Sequence, residues 1–131
     1  FKIKSKLQLP PSDLNLNKEL EVCIFMVTQE AMNNIIKHSK AKEFSISLTV
    51  KDDSVILIIS DDGIGFKPNK LVNEKYISDG LGLISMQDRV ERLNGNFHID
   101  SSHNNGTVII ADFEINKEIY NAEHDYKNPG R

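Results

Sequence analysis

Gln29–His38 reads QEAMNNIIKH. It sits late in a run, Lys18 to Lys40, whose apolar residues Val22, Phe25, Met26, Met32, Ile35 and Ile36 fall at helical spacing. That spacing predicts one long helix. Glu30, Asn34 and His38 are four apart and climb one side of the helix together, with Lys37 beside them. A carboxylate, a carboxamide, an imidazole and an ammonium thus gather where a surface helix ordinarily carries interchangeable polar residues. Taken alone, the cluster also fits a solvated helix face. The remainder of the chain decides between the two.

Upstream, Phe1–Leu9 alternates, with Phe1, Ile3, Leu7 and Leu9 on one face and Lys2, Lys4, Lys6 and Gln8 on the other. This is the pattern of a strand with one face buried and one in water. Pro10-Pro11 ends it, and Ser12 to Asn17 form a polar connection. Downstream, Phe44–Val50 alternates again, with Phe44, Ile46, Leu48 and Val50 inward. After a charged turn, Ser54–Ser60 (SVILIIS) is apolar on both faces, which marks a central strand. Phe66 to Asp79 lacks periodicity, and a stretch of that kind inside a compact domain reads as a functional loop or lid. A second amphipathic helix opens at Gly80-Leu81-Gly82-Leu83 and runs through Leu93, with Leu83, Met86, Val90 and Leu93 as its stripe and Asn94-Gly95 as its stop. A hairpin follows, Phe97–Ser101 and Thr107–Ile115, and then a polar tail from Asn116 to Arg131 that is expected to be disordered. Five strands and two long helices predict an α/β two-layer sandwich, a mixed sheet with helices packed on one face. Residues 1–115 form the expected domain and 116–131 the tail.

A chain of 131 residues with 39% apolar content closes one core. A net charge of -3 and the lack of a basic block with interleaved aromatics argue against a nucleic-acid surface. The single cysteine, Cys23, lies in the apolar part of the helix and reads as a buried thiol in a reducing compartment. His38, His98, His103 and His124 have no metal-ligand spacing. No apolar run is long enough to cross a bilayer and no signal peptide is evident. The chain opens at Phe1 in what reads as mid-strand, so it is taken as a piece of a longer polypeptide.

Three further motifs bear on chemistry. Asp61-x-Gly63-x-Gly65 comes directly off the most apolar strand. An aspartate held there can accept a hydrogen bond from an exocyclic amine such as adenine's, and the glycines let backbone approach a flat ring. An ordinary Asp-Gly turn at a strand end has the same wording. Gly80-x-Gly82-Leu83 precedes a helix, whose free N–H groups make an anion site, although any loop-to-helix junction favours glycine. It is neither a Rossmann nor a Walker motif. Gly106-Thr107 opens the last strand and by itself carries no information. In the long helix, Asn34 offers a neutral oxygen suited to Mg²⁺, Lys37 and His38 suit phosphate, and Glu30 suits water activation or metal-side support.

Taken in order, Glu30-x-x-x-Asn34, Asp61-x-Gly63-x-Gly65, a lid, Gly80-x-Gly82-Leu83 and Gly106-Thr107 resemble the GHKL family of ATP-binding domains, which includes gyrase B, MutL and the histidine kinases. Thr28–Ala41 (TQEAMNNIIKHSKA) and Gly80–Gly95 (GLGLISMQDRVERLNG) look most like sensor histidine kinases of the NarL/DegS/LiaS type. The resemblance implies the Bergerat fold and an ATP-binding catalytic domain. Asp61 would read the adenine amine with Thr107 in support, and Gly63 and Gly65 would shape the adenine pocket. Asn34 would bind Mg²⁺, Lys37 and His38 would face the phosphates, and Gly80, Gly82 and Leu83 would line the triphosphate channel. The glutamate that matches Glu30 activates water in the hydrolysing members, whereas the kinase resemblance implies for Glu30 at most a metal-side or weakly hydrolytic role. Ser85 departs from the glycine of many relatives. The implied partners are a helical dimerisation domain bearing the phosphoacceptor histidine, which this chain lacks, and a response regulator. The implied setting is a cytoplasmic, monomeric domain of a membrane-bound sensor, without membrane contact of its own. Glu123-His124-Asp125 lies in the tail without helical periodicity and is not read as the acceptor. Two other readings compete: a GHKL ATPase or anti-sigma serine kinase, and a nucleotide-free interaction module with a decayed pocket.

Overall fold

The structure, a computed structural model, describes residues 2–10, 14–67 and 81–115. Gly80, most of the expected lid and the tail after Ile115 lie outside the described residues. The elements run β1 (Lys4–Gln8), α1 (Lys18–Asn34), a π turn (Ile35–Ser39), β2 (Glu43–Lys51), β3 (Ser54–Asp61), α2 (Leu83–Arg92), β4 (Asn96–Ser101) and β5 (Thr107–Glu114). The strands form one sheet in the order β1-β2-β3-β5-β4, with β1 parallel to β2 and all other neighbours antiparallel. The expected mixed five-stranded sheet is present, and its most apolar strand, β3, is central.

Register assigns the two faces. Ile46, Ile59, Ile109 and Ile99 lie opposite one another across β2, β3, β5 and β4, as do Leu48, Leu57, Ala111 and Phe97. Within this face Leu57 and Ile59 are 1% and 2% exposed, and they join Val27 of α1 and Leu83, Met86 and Val90 of α2 in one core. Each such aliphatic side chain contributes about 1.5–3 kcal/mol by leaving water. The helices therefore cover this face alone. Ile56, Ile58, Val108 and Ile110 project from the other and are only half-buried.

The edge strand departs from expectation. The alternation of Phe1–Leu9 predicted a half-buried strand, yet all of β1 is exposed, with Leu7 at 63% and Leu9 beyond it at 66%. Leu7 pairs with Ile46 and so is on the core face. The helices lie over the β3 and β4 side of the sheet and leave that edge bare.

Helix α1 departs as well. Asn17 caps it, its Oδ1 accepting from Leu20 N–H at 2.8 Å. Of the apolar residues read from sequence, Ile35 is buried and Met26 and Met32 are half-buried, whereas Val22, Phe25 and Ile36 are exposed. Leu20, Cys23, Val27, Ala31 and Ile35 are the buried set that faces the sheet. The last four are spaced four apart, and the small Cys23 and Ala31 let helix and sheet approach closely. The expected single helix to Lys40 is an α-helix to Asn34 followed by the π turn, which ends at Lys40 with φ 53°. Helix α2 stops as expected: Asn94 takes φ 58° and Gly95 N–H donates to Val90 O at 3.0 Å.

Asp62 has more to do than an exposed polar residue suggests. Its Oδ1 accepts from Lys42 N–H (2.8 Å) and Glu43 N–H (3.0 Å), tying the end of β3 to the start of β2. These two donors, Glu43 first, hold its carboxyl below the usual carboxylate range. A depressed folded value means that the stabilisation is complete above the unfolded value and fades as pH falls through the folded one. Asp62→Ala is therefore expected to lower the melting temperature at pH 7, with the gap to wild type narrowing below about pH 4. A pH-independent gap in thermal melts would refute the charge-assisted clasp.

Candidate functional site

At the sheet end where β3 and β5 finish and start, a cavity of about 470 Å³ opens between the sheet, α1 with its π turn, and the start of α2. Its polar lining includes Asn34, His38, Asp61 and Thr107, and its apolar lining includes Ile59, Ile109 and Leu83. Volume and balance both match a small-molecule site, with mostly apolar walls and a few placed polar groups.

The strands position the first polar pair. Asp61, the last residue of β3, is directly opposite Thr107, the first of β5. Gly63 N–H donates to Asp61 Oδ1 at 2.8 Å, and the other carboxylate oxygen takes no protein donor among the described residues. Burial pushes the Asp61 carboxyl above the ordinary range; the Gly63 bond offsets this in part, and the neighbouring Asp62 charge adds to it. Thr107 meets Ser101 of β4, its Oγ1 2.8 Å from Ser101 Oγ.

The π turn positions the second set. Ser39 is buried, donates its hydroxyl to Ile35 O (2.7 Å) and accepts from Ala41 N–H (3.1 Å). Its carbonyl accepts from Ile64 N–H at 2.7 Å, which binds the turn to the loop after Asp61. Gly63 lies so close to Ser39 that any Cβ there would overlap the Ser39 carbonyl. Asn34 donates Nδ2–H to Leu81 O at 2.7 Å, so the amide orientation is set and Oδ1 is the end left over.

The structure thus brings Asn34, His38, Asp61, Gly65, Leu83 and Thr107 to one cavity. Gly63 stands behind the wall. Lys37 is exposed on the π turn and does not line the cavity. Gly82 borders a neighbouring groove with Arg89 and Arg92, and a Cβ on it would come 2.5 Å from Glu30 Oε1. Glu30 therefore rests at the N-terminal end of α2, where the helix dipole favours a carboxylate. Sequence reasoning missed Ser39 and Ser101. Ser101 had a readable signal, since it and Thr107 are the facing ends of the hairpin; Ser39 had none, because nothing in composition announces a π turn.

Among the described residues no group of three His, Cys, Asp or Glu side chains is arranged to hold a metal, and no helix is long and apolar enough to cross a membrane. The single oxygen of Asn34 fits an ion that keeps most of its waters and borrows ligand oxygens, as Mg²⁺ does, rather than a caged one.

Residues 20–117 match the family described as histidine kinase-, DNA gyrase B-, and HSP90-like ATPase. The signal transduction histidine-protein kinase/phosphatase DegS of Bacillus subtilis is 38% identical over 98 residues, covering 75% of this chain and 25% of DegS. The oxygen sensor histidine kinase NreB of Staphylococcus carnosus is 33% identical over 76% of this chain and 27% of its own length. The sensor protein VraS of Staphylococcus aureus is 32% identical over 89% and 32%. The chain thus spans about a quarter to a third of these relatives. In fold, it superposes on a blue-light activated histidine kinase of Erythrobacter litoralis with a TM-score of 0.69 at 18% identity, covering 86% of this chain and 35% of that one. The histidine kinase AdeS of Acinetobacter baumannii gives 0.66 at 21% identity over 88% and 55%.

Proposed function

The chain belongs to the family of histidine kinase-, DNA gyrase B- and HSP90-like ATPases, and from that premise we propose that it is the catalytic domain of a two-component sensor histidine kinase. In this reading residues 1–115 bind ATP and present its γ-phosphoryl group to a histidine on a separate helical dimerisation domain, from which it passes to a response regulator. The domain works in the cytoplasm as a monomeric unit of a larger sensor, and residues 116–131 are a tail outside it.

One observation carries the reading: Asp61 and Thr107 share a single cavity with Asn34 and His38. The first pair suits an adenine amine, and the second suits Mg²⁺ and phosphate. Asp61, with one oxygen held by Gly63, accepts the amine through the other. The aliphatic walls Ile59, Ile109 and Leu83 exclude water from the base. Asn34 would hold Mg²⁺ through Oδ1, and the ion when bound supplies charge neutralisation along the phosphates. His38 hydrogen-bonds phosphate oxygen, and Lys37, exposed on the same π turn, adds its charge. Gly82 and Leu83 form the channel side at the start of α2. The protein's contribution is positioning and electrostatics, so rate depends on how the acceptor histidine docks.

A gyrase- or MutL-like ATPase would use Glu30 to activate water. Glu30 is absent from the cavity lining and rests against Gly82, which favours a supporting role in the kinase reading.

Calorimetric titration tests the proposal. ATP is expected to bind and GTP not, with Mg²⁺ tightening ATP. Asn34→Ala is expected to abolish the Mg²⁺-dependent gain while the metal-free affinity stays. Equal binding of ATP and GTP, or no binding of either, would overturn the nucleotide assignment. Adding a helical acceptor domain should yield acid-labile phosphohistidine, and free phosphate alone would point to the ATPase.

A further inference from the structure

We infer that Ser101 is a positioning residue that sets which purines the cavity accepts, by fixing the direction of the Thr107 hydroxyl. The inference rests on the nucleotide reading of the cavity. A serine hydroxyl has one hydrogen to give and two lone pairs to share. Phe66 N–H takes one lone pair of Ser101 Oγ at 2.9 Å. The Gly106 carbonyl, which can only accept, takes the hydrogen at 3.0 Å. The remaining lone pair faces Thr107 Oγ1 at 2.8 Å, so Thr107 must supply that hydrogen. The opposite direction, with Ser101 donating to Thr107, forfeits the bond to Gly106.

Thr107 thereby spends its one hydrogen behind the cavity wall and turns only lone pairs toward the space it lines. Asp61, opposite it across β3 and β5, is acceptor-only when ionised. Two neighbouring strands thus offer acceptors to the base edge. A purine with a 6-amino group satisfies them, directly or through water. A 6-oxo purine sets lone pairs against lone pairs, and a buried acceptor left unpaired is penalised. Ser101 touches no part of the ligand and acts through Thr107. It also fastens Phe66, a lining residue in the loop that follows β3.

The test uses ATP and inosine triphosphate, whose bases differ at position 6, titrated into the full chain. Wild type is expected to prefer ATP. In Ser101→Ala the Thr107 hydrogen is released to rotate toward the cavity. ATP is then expected to weaken about two- to tenfold, while inosine triphosphate holds or tightens, so the ratio of dissociation constants narrows. Ser101→Thr keeps a hydroxyl at the same backbone position and should restore the ratio. Should the alanine variant fail to fold, Ser101→Cys, similar in size and a poor donor and acceptor, gives the same readout. An unchanged ratio, with both nucleotides weakened equally or not at all, would mean that Ser101 only braces the hairpin. Wild type that binds neither nucleotide would overturn the cavity reading itself, whereas ATP binding with an unmoved ratio overturns only Ser101.

Discussion

Asp61→Asn is expected to weaken ATP binding about a hundred- to ten-thousandfold and to leave the empty protein at least as stable as wild type. The substitution keeps the shape of the side chain. The amide oxygen can still accept from Gly63 N–H, as Oδ1 does now at 2.8 Å, so the amide nitrogen is turned to the cavity. A donor then faces the donor amine of adenine. The loss combines a hydrogen bond to a charged group, about 1.5–3 kcal/mol, with a buried donor left unpaired, about 1–3 kcal/mol. Stability moves the other way. Burial raises the Asp61 carboxyl above its unfolded value, so its charge costs the empty fold stability at neutral pH, and that cost is relieved as pH falls through the raised value. Removing the charge relieves it at every pH. For the same reason ATP affinity in wild type should be flat near neutrality and fall on acidification as Asp61 protonates. Calorimetry and thermal melts on one preparation settle both halves. Unchanged ATP affinity, or a variant that melts well below wild type, would show that Asp61 serves the fold rather than the ligand.

Gly106→Ala is expected to lower stability and binding together. Gly106 has φ 70°, and a Cβ on it would overlap the Asp61 carbonyl oxygen and come within 3.1 Å of Asp62 Cα. The backbone conformation alone costs an alanine about 1–2 kcal/mol. The overlap is with backbone, which cannot swing aside, so a total of about 3–5 kcal/mol is reasonable for so close a contact. Urea denaturation should show the midpoint fall, and the surviving folded fraction should bind ATP poorly because Asp61 is the residue displaced. A variant with a wild-type midpoint would refute the close approach.

Much of this was readable in the chain. Alternation in Phe44–Val50 and the doubly apolar Ser54–Ser60 gave neighbouring strands, one of them central, and Asn94-Gly95 gave the end of α2, because each is a local consequence of side-chain periodicity or a left-handed backbone. The placement of Asp61 beside Thr107 followed from a motif order rather than from either residue. What was not readable depended on distant partners. Cys23 was read as a buried thiol and is one, but the exposure of Phe25 was not readable, because only the closeness of the sheet decides which apolar helix residue is too large to go in. The exposure of Leu7 depends on where α1 lies, which its own alternation does not record. The π turn advances each residue by a smaller angle than an α-helix does, so side-chain directions beyond Asn34 cannot be projected from the preceding turns.

The doubly apolar character of β3 carries one more consequence. Alternation normally locks a strand, because slipping by one residue would turn its oily side to water. Val55-Ile56-Leu57-Ile58-Ile59 pays little such penalty, since either set of side chains suits the covered face. Misaligned sheets are thus discouraged chiefly at the tip of the strand, by the fit of Gly63 on Ser39, of Gly106 on Asp61, and by the Asp62 clasp on β2. The residues around the cavity are also the ones that hold the strand alignment in the folded sheet. Mistakes in alignment and loss of the ligand site are then the same event, and a misthreaded copy is a silent one.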